Sequence, residues 1–293
     1  MNYTIHLKRT VILLTLLCSV MLATAQTVNE PGNAPSEWSQ PYPPFRIAGN
    51  LYYVGTADLA CYLIVTPKGN ILINTGLASS AAKIKASIET LGFRFSDIKI
   101  LLTTQAHYDH MGAMAAIQKA TGAAMMLDEG DVPVATDGGS SDYFFGGHGS
   151  VYQPVKVDRV LHNGDTIALG DIHLVMLHHP GHTKGSCSYL FTVKDAQRSY
   201  TVLIANMPTI IAPKKFSETT GYPNIAADYQ YTFKAMKPLK FDIWLASHAS
   251  QFKLQAKHPA GSAYNPNAFI DQKGYDTELS ELEGEFEKKL TEK

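Results

Sequence analysis

A short polar segment holds several side chains that could bind a metal ion, and it directly follows the apolar residues 98–102. Its candidate ligands are Gln105, His107, Asp109 and His110. Zn²⁺ accepts imidazole nitrogens as well as carboxylate and amide oxygens. Since alternate residues of an extended chain face the same way, we expect Gln105, His107 and Asp109 to converge, with His110 turned to the other side. This spacing favours a metal site over a merely polar loop.

Other apolar segments also end in residues that could bind a metal or line a site. His182 follows the predicted strand 173–177, His248 follows the strand 243–246, and Asn206 follows the strand 200–205. Ligands at several strand ends can meet at one edge of a sheet, an arrangement typical of an open catalytic zinc site. We therefore expect one metal centre assembled from distant parts of the chain.

Composition is that of an ordinary globular protein. The chain has 293 residues, 45% of them hydrophobic and 17% charged, and its formal net charge is -1. Lysine and arginine are scattered, so neither nucleic acid nor an anionic membrane is an expected partner. No change in composition suggests a linker, and we expect one domain over residues 26–293.

The N-terminus has the pattern of a secretory signal peptide. Lys8 and Arg9 precede the apolar run 10–23, and Ala25 ends a small-residue cleavage site. We expect residues 1–25 to be removed and the mature chain to be periplasmic and free of the membrane. Cys18 would suit a lipoprotein, but bulky Leu17 stands before it, which favours secretion.

The mature chain then holds two cysteines, Cys61 and Cys187, each in an apolar strand-like segment. We expect two small core residues without a disulfide, although an oxidising compartment would permit one.

Hydrophobic periodicity predicts a mixed α/β protein. Closely spaced strands precede helices at 79–91 and 112–121, and strands at 158–161, 166–169 and 173–177 begin a similar second half. These patterns predict two sheets packed face to face, with helices outside.

Two further segments are distinctive. We call residues 137–148 the aromatic loop, because Tyr143, Phe144 and Phe145 stand among glycines and polar residues. Such a loop either borders a site or packs on itself at the surface, and we expect it to be mobile. The C-terminal residues 276–293 place Leu279, Leu282, Phe286 and Leu290 on one face of a predicted amphipathic helix.

These motifs together resemble the metallo-β-lactamase superfamily. The resemblance rests on the Gln105–His110 segment, on Gly181-His182-Thr183 and on Ser247-His248, and it extends over the mature chain. Within the superfamily it is similar to subclass B3, and in particular to the GOB-type branch, which has Gln in place of the first zinc-ligand His. The resemblance implies an αβ/βα four-layer sandwich.

The resemblance also implies two zinc sites. The first site would comprise Gln105, His107 and His182, and the second site would comprise Asp109, His110 and His248. A neutral amide is a weaker zinc donor than imidazole, so the second site is expected to be the tighter one. Asn74 stands where the superfamily usually has Asp, and either supports a ligand or is a simple turn residue.

The implied activity is zinc-dependent hydrolysis of β-lactams. A zinc-bound hydroxide would open the lactam amide of penicillins, cephalosporins and carbapenems, and would thereby confer antibiotic resistance. Asp109 would be the catalytic residue that orients the water, and Thr209 would bind the substrate. Met207 stands where another subclass has a cysteine ligand. We expect a monomer; the alternatives are a zinc thioesterase or lactonase on the same fold, and a non-catalytic exported zinc-binding protein.

Overall fold

The computed structural model describes residues 27–212 and 215–292. The proposed signal segment, residues 1–25, lies outside the described residues, as does Cys18. Within the described residues, no helix is both long and apolar enough to span a membrane.

The strands form two sheets. The strands of the first sheet are β1 (Phe45–Ala48), β2 (Leu51–Tyr53), β3 (Tyr62–Thr66), β4 (Gly69–Ile73), β5 (Ile98–Leu102), β6 (Ala124–Asp128) and β7 (Arg159–Leu161), in that order. Those of the second sheet, in chain order, are β8 (Thr166–Leu169), β9 (Ile172–His178), β10 (Cys187–Lys194), β11 (Ser199–Ala205) and β12 (Ile243–Ala246). The spatial order of the second sheet is β12-β11-β10-β9-β8.

Helices join the parallel strands and cover the sheets. They are α1 (Ser80–Thr90), α2 (Tyr108–Met111), α3 (Met114–Thr121), α4 (Val132–Thr136), α5 (Ile225–Met236), α6 (Leu254–Lys257) and α7 (Gln272–Thr291). Helix α1 connects the parallel strands β4 and β5 along the chain, and α5 connects the parallel strands β11 and β12. Helix α3 ends at Gly122, whose φ of 68° is the left-handed cap that glycine adopts without strain.

The side chains of β3 alternate between two hydrophobic clusters, one on each face of the first sheet. Tyr62 and Ile64 belong to the core that joins both sheets, whereas Leu63 belongs to a second cluster with Ile84 of α1 and Ile117 of α3. Both faces of this strand are therefore buried, which explains its continuous apolar run from Tyr62 to Val65. The predicted sandwich of two mixed sheets with helices outside is confirmed.

Strand β7 differs from the sequence prediction. Residues 158–161 were expected to begin the second half, but β7 pairs in parallel with β6, matching Met126 with Arg159. Its three residues carry too little pattern to select a partner, and the chain changes sheets only afterwards, at the turn near Gly164.

Helix α7 corrects another expectation. It begins at Gln272, where the Asp271 carboxylate accepts a hydrogen bond from the Gly274 N–H at 2.8 Å. Leu282 and Phe286 are buried as predicted, but Leu290 is 50% exposed because it lies in the last turn, beyond the core. Cys61 and Cys187 are buried free thiols, as expected.

Candidate metal centre

The ligand loop, residues 103–112, leaves the carboxyl end of β5 and is held by Asn74. The Asn74 side-chain oxygen accepts hydrogen bonds from Thr104 N at 2.9 Å and from Thr103 Oγ1 at 3.1 Å. Asn74 itself has a φ of 61°, a conformation that Asn tolerates better than most residues. Asn74 combines the two roles considered, since its backbone has a turn conformation and its side chain supports the ligand loop. Asn74 fixes the loop backbone ahead of the candidate ligands.

The second site is a compact buried cluster. The Nε2 atoms of His110 and His248 lie 3.1 and 3.3 Å from the same oxygen, Oδ2 of Asp109. All three residues offer a ligand atom within 4.8 Å of one another. The expectation that His110 turns away from Asp109 is wrong, because residues 108–111 form a helical turn and the alternation of an extended chain ends at His107.

Charge within this cluster shifts two pKa values in opposite directions. Burial alone would raise the pKa of Asp109, but the neighbouring imidazoles of His110 and His248 outweigh it and hold that pKa well below its usual range. Burial would lower the pKa of His248, but contacts with the Asp109 and Asp58 carboxylates raise it to about 9. Asp109 is therefore a carboxylate at neutral pH.

Asp58 contacts the Nδ1 side of His248, away from Asp109, and the sequence analysis did not identify it. Its Oδ2 atom accepts hydrogen bonds from His248 Nδ1 and from Trp38 Nε1, both at 3.0 Å. Its Oδ1 accepts from Ser250 N at 2.9 Å. A histidine that donates from Nδ1 presents Nε2 to a metal, which is the usual carboxylate–histidine arrangement at zinc sites.

The first site has similar support on each imidazole. His182 donates from Nδ1 to the Thr209 carbonyl at 2.9 Å, which leaves Nε2 for a metal. His107 places Nε2 3.3 Å from Asp142 Oδ2, which leaves Nδ1 for a metal. The two rings lie 4.9 Å apart between centroids. The structure thus brings together the two imidazoles predicted for this site.

Gln105 provides the test of whether a metal fits. Its Oε1 atom is buried and makes no hydrogen bond within the part of the chain that the structure describes. An unpaired buried acceptor costs on the order of 1–3 kcal/mol, a cost that a metal ligand does not pay. Gln105, His107 and His182 offer one oxygen and two nitrogens, a donor set that suits zinc.

A buried acid joins the two ligand loops. Asp131 Oδ2 accepts hydrogen bonds from Ala106 N at 2.8 Å and Thr183 Oγ1 at 2.7 Å, and Oδ1 accepts from Gly185 N at 2.8 Å. Burial raises the pKa of Asp131 to about 6. Sequence reasoning missed this residue as well, since nothing in its spacing relates it to either loop.

Thr209, predicted to bind substrate, lies at the edge of the first site. Its hydroxyl oxygen and its carbonyl oxygen are both 2.9 Å from His182 Nδ1. Met207 is fully buried, and the Cys187 thiol faces the Thr103 carbonyl at 3.4 Å. The contact with a substrate stays a prediction, while the contact with His182 gives Thr209 a supporting role.

The aromatic loop borders the first site rather than packing alone. The Phe145 ring meets the rings of His107 and Tyr108 edge-on, each at 5.0 Å between centroids. Tyr143 donates from its hydroxyl to the His182 carbonyl at 3.0 Å. Of the two roles considered for this loop, that of a border to the site is the observed one.

Comparison with known proteins agrees with this geometry. The family model of the metallo-β-lactamase superfamily matches residues 58–196. The class B3 di-zinc metallo-β-lactamase LRA-12 from an Alaskan soil metagenome is 65% identical, with a TM-score of 0.89 over 90% of this chain and 100% of that one. The metallo-β-lactamase GOB-18 from Elizabethkingia meningoseptica is 58% identical, with a TM-score of 0.90 over 91% and 99%.

A more distant relative is named for a different activity. A hydroxyacylglutathione hydrolase of Rhodospirillum rubrum is 29% identical over 118 residues, which span 40% of this chain and only 38% of that protein. The two metallo-β-lactamase structures, in contrast, match about nine tenths of this chain and nearly all of their own length. Fold, site geometry and these extended similarities show that the chain belongs to the metallo-β-lactamase superfamily.

Proposed function

We propose that this protein is a zinc-dependent β-lactam hydrolase of the B3 type. It opens the lactam amide of penicillins, cephalosporins and carbapenems and so confers antibiotic resistance. The observation that carries the proposal is the buried Asp109–His110–His248 cluster, found in a chain that is 65% identical over 90% of its length to a class B3 metallo-β-lactamase.

Two zinc ions fit the residues present. Gln105, His107 and His182 would hold one, in the manner of the GOB-type branch, and Asp109, His110 and His248 would hold the other. Bound zinc lowers the pKa of a water to about 7 and polarises a carbonyl, which is the chemistry that amide hydrolysis needs. The second site contains the only carboxylate among the six proposed ligands and is the tighter site.

The protein's own residues position the reaction. Asp109 stays ionised at neutral pH, because its pKa lies well below the usual range, so it can orient the attacking water as a hydrogen-bond acceptor. Thr209 lies at the edge of the first site, where its hydroxyl could reach a substrate carboxylate. The aromatic loop, through Phe145 beside His107, provides an apolar wall for the rest of the substrate.

The test is hydrolysis by the mature chain beginning at Gln26. A penicillin, a cephalosporin and a carbapenem are followed by ultraviolet absorbance before chelation, after chelation and during stepwise return of zinc. We expect activity to disappear on chelation and to return with zinc. Asp109→Ala should lose zinc and activity together, and full activity in that variant would refute the assignment.

A thioesterase remains the second candidate, because of the partial match with a hydroxyacylglutathione hydrolase. The same zinc-loaded protein is therefore given a glutathione thioester and a lactone. Hydrolysis of either without hydrolysis of any β-lactam would replace the proposed substrate class, and hydrolysis of none would support a non-catalytic zinc-binding protein.

Export to the periplasm is a further part of the proposal. It is supported by the basic, apolar and small-residue pattern of residues 1–25. Fractionation of an expressing bacterium should recover a monomeric protein whose first residue is Gln26. Recovery of the full-length chain in the cytoplasm would contradict it.

A further inference from the structure

We propose that Asp142 is a positioning residue for His107, and that it couples the aromatic loop to the first zinc site. Filling of that site and ordering of the loop would then stabilise each other. This inference rests on the proposed zinc enzyme, but it concerns the apparent zinc affinity and the loop rather than the substrate.

One oxygen of Asp142 faces a candidate ligand. Asp142 Oδ2 lies 3.3 Å from His107 Nε2, and the two side chains are only 3% and 2% exposed. A buried carboxylate in this place fixes the ring orientation and the tautomer of a histidine, and increases its basicity as a ligand. The interaction joins residues 35 positions apart in the sequence, on separate loops.

The other oxygen of the same carboxylate shapes the aromatic loop. Asp142 Oδ1 accepts hydrogen bonds from Phe144 N at 2.9 Å and from Phe145 N at 2.7 Å. This is a local turn in which the side chain mimics the backbone. Because one rigid carboxylate serves both, the loop cannot unfold around Asp142 without releasing His107.

Two further contacts tie the loop to the same site. The Phe145 ring packs edge-on against His107 at 5.0 Å, and the Tyr143 hydroxyl donates to the His182 carbonyl at 3.0 Å. The loop therefore contacts both histidines of the first site, His107 through its ring and His182 through its backbone carbonyl. His248 of the second site takes its support from other residues, Asp58 and Trp38.

The identity of Gln105 makes this coupling consequential. The first site has a neutral amide where a third imidazole is usual, so a charge adjacent to His107 is a large part of its attraction for zinc. Linkage is reciprocal: if the ordered loop favours zinc, zinc must favour the ordered loop by the same factor. A substrate that packs on the loop would then tighten the first site.

The test compares Asp142→Asn with the wild-type enzyme. The amide retains an oxygen for the N–H groups of Phe144 and Phe145 and removes the charge that faces His107. Zinc affinity is measured by competition with a chromophoric chelator. We expect a loss of about 10–100-fold at the weaker site, with the tighter site changed less than about threefold.

The loop is followed separately, by amide exchange at Phe144 and Phe145 in protein labelled with ¹⁵N-phenylalanine. In the wild-type enzyme, the second equivalent of zinc should slow exchange at these amides several-fold. In Asp142→Asn this slowing should disappear. Tyr143→Phe, which removes only the hydroxyl facing His182, should weaken the first site by a smaller factor and guards against a folding defect in the first variant.

A matched control is Asp137→Asn. It makes the same change in the same loop, where Asp137 Oδ2 accepts the Ser141 N–H at 3.1 Å, and it should leave zinc affinity unchanged. Equal zinc affinity in Asp142→Asn and wild type, or equal amide exchange with one and two zinc ions, would overturn the proposal. Neither readout needs a substrate, so a protein that couples loop and zinc but leaves β-lactams intact would refute only the proposed function.

Discussion

Replacement of Asp58 by Asn tests whether a residue without a metal contact determines zinc binding at the second site. The two side chains have the same shape, so the change removes one charge and turns one oxygen into a donor. Asp58 Oδ2 accepts from both His248 and Trp38, and Oδ1 accepts from Ser250 N. Burial would raise the pKa of Asp58, but His248 and Ser250 outweigh it and lower that pKa, so a carboxylate is the native form.

The hydrogen bonds of Asp58 explain why the substitution should weaken zinc binding. With three donors around it, the substituted amide must place its NH₂ group against at least one of them, whichever way it is rotated. If the NH₂ group faces His248, the imidazole must accept at Nδ1 and carry its proton on Nε2, the nitrogen that the metal needs. Loss of such a carboxylate partner typically weakens metal binding about 10–100-fold, or about 1.4–2.7 kcal/mol.

Competition with a chromophoric chelator measures both zinc affinities directly. We expect the tighter affinity to fall by that factor in Asp58→Asn, so that the two sites become similar. Trp38→Phe serves as a graded control. The Trp38 ring lies 5.5 Å from the His248 ring between centroids, and the substitution keeps a ring there but removes one hydrogen-bond donor to Asp58. It should lower the affinity of the second site for zinc only a few-fold. A tighter affinity within twofold of wild type in Asp58→Asn would refute the reasoning.

Two predictions concern stability. Burial lowers the pKa of His179, whose Nδ1 lies 2.7 Å from Ser188 Oγ, to about 3. Between pH 6.5 and 3 only the unfolded chain gains a proton on this residue, so the free energy of unfolding falls as the pH falls. In His179→Gln, urea unfolding at pH 7 and pH 5 should show this pH dependence reduced by up to about 1.4 kcal/mol per pH unit. An unchanged slope would contradict this. A Cβ at Gly112 would lie 2.4 Å from Ala78 N, so Gly112→Ala should lower the free energy of unfolding in urea by about 1–3 kcal/mol or more. The control Gly284→Ala, where a Cβ would have no neighbour within 4 Å, should stabilise helix α7. Equal effects of the two substitutions would refute the packing argument.

The candidate ligands could be identified in the sequence because they lie close together or follow recognisable strand ends. His107, Asp109 and His110 stand within one loop, and His182 and His248 each follow an apolar strand. Such local patterns survive without any knowledge of tertiary contacts. The same locality made the longer helices α1, α3 and α7 predictable in approximate position, whereas the short helices α2, α4 and α6 were not predicted.

The supporting acids Asp58 and Asp142 could not be predicted, because their relation to the histidines exists only in the tertiary structure. Asp58 lies 190 residues from His248, and neither it nor Asp142 has a spacing that relates it to a histidine. A single aspartate in a loop is usually a solvated turn residue. Strand β7 was misplaced by a similar lack of local information, since its pairing with β6 is decided by tertiary packing. The prediction for His110 failed because an extended geometry was assumed for a segment that turns helical.

The positions of these acids suggest why the two sites differ. The second site has one carboxylate ligand, Asp109, and a further carboxylate, Asp58, whose Oδ2 accepts a hydrogen bond from Trp38. The first site has no carboxylate ligand, and its supporting carboxylate, Asp142, belongs to the aromatic loop. Zinc should therefore enter the second site first, because Coulomb attraction and a rigid support act together there. The first site, whose support belongs to the loop beside the substrate, is the one whose occupancy the substrate can change.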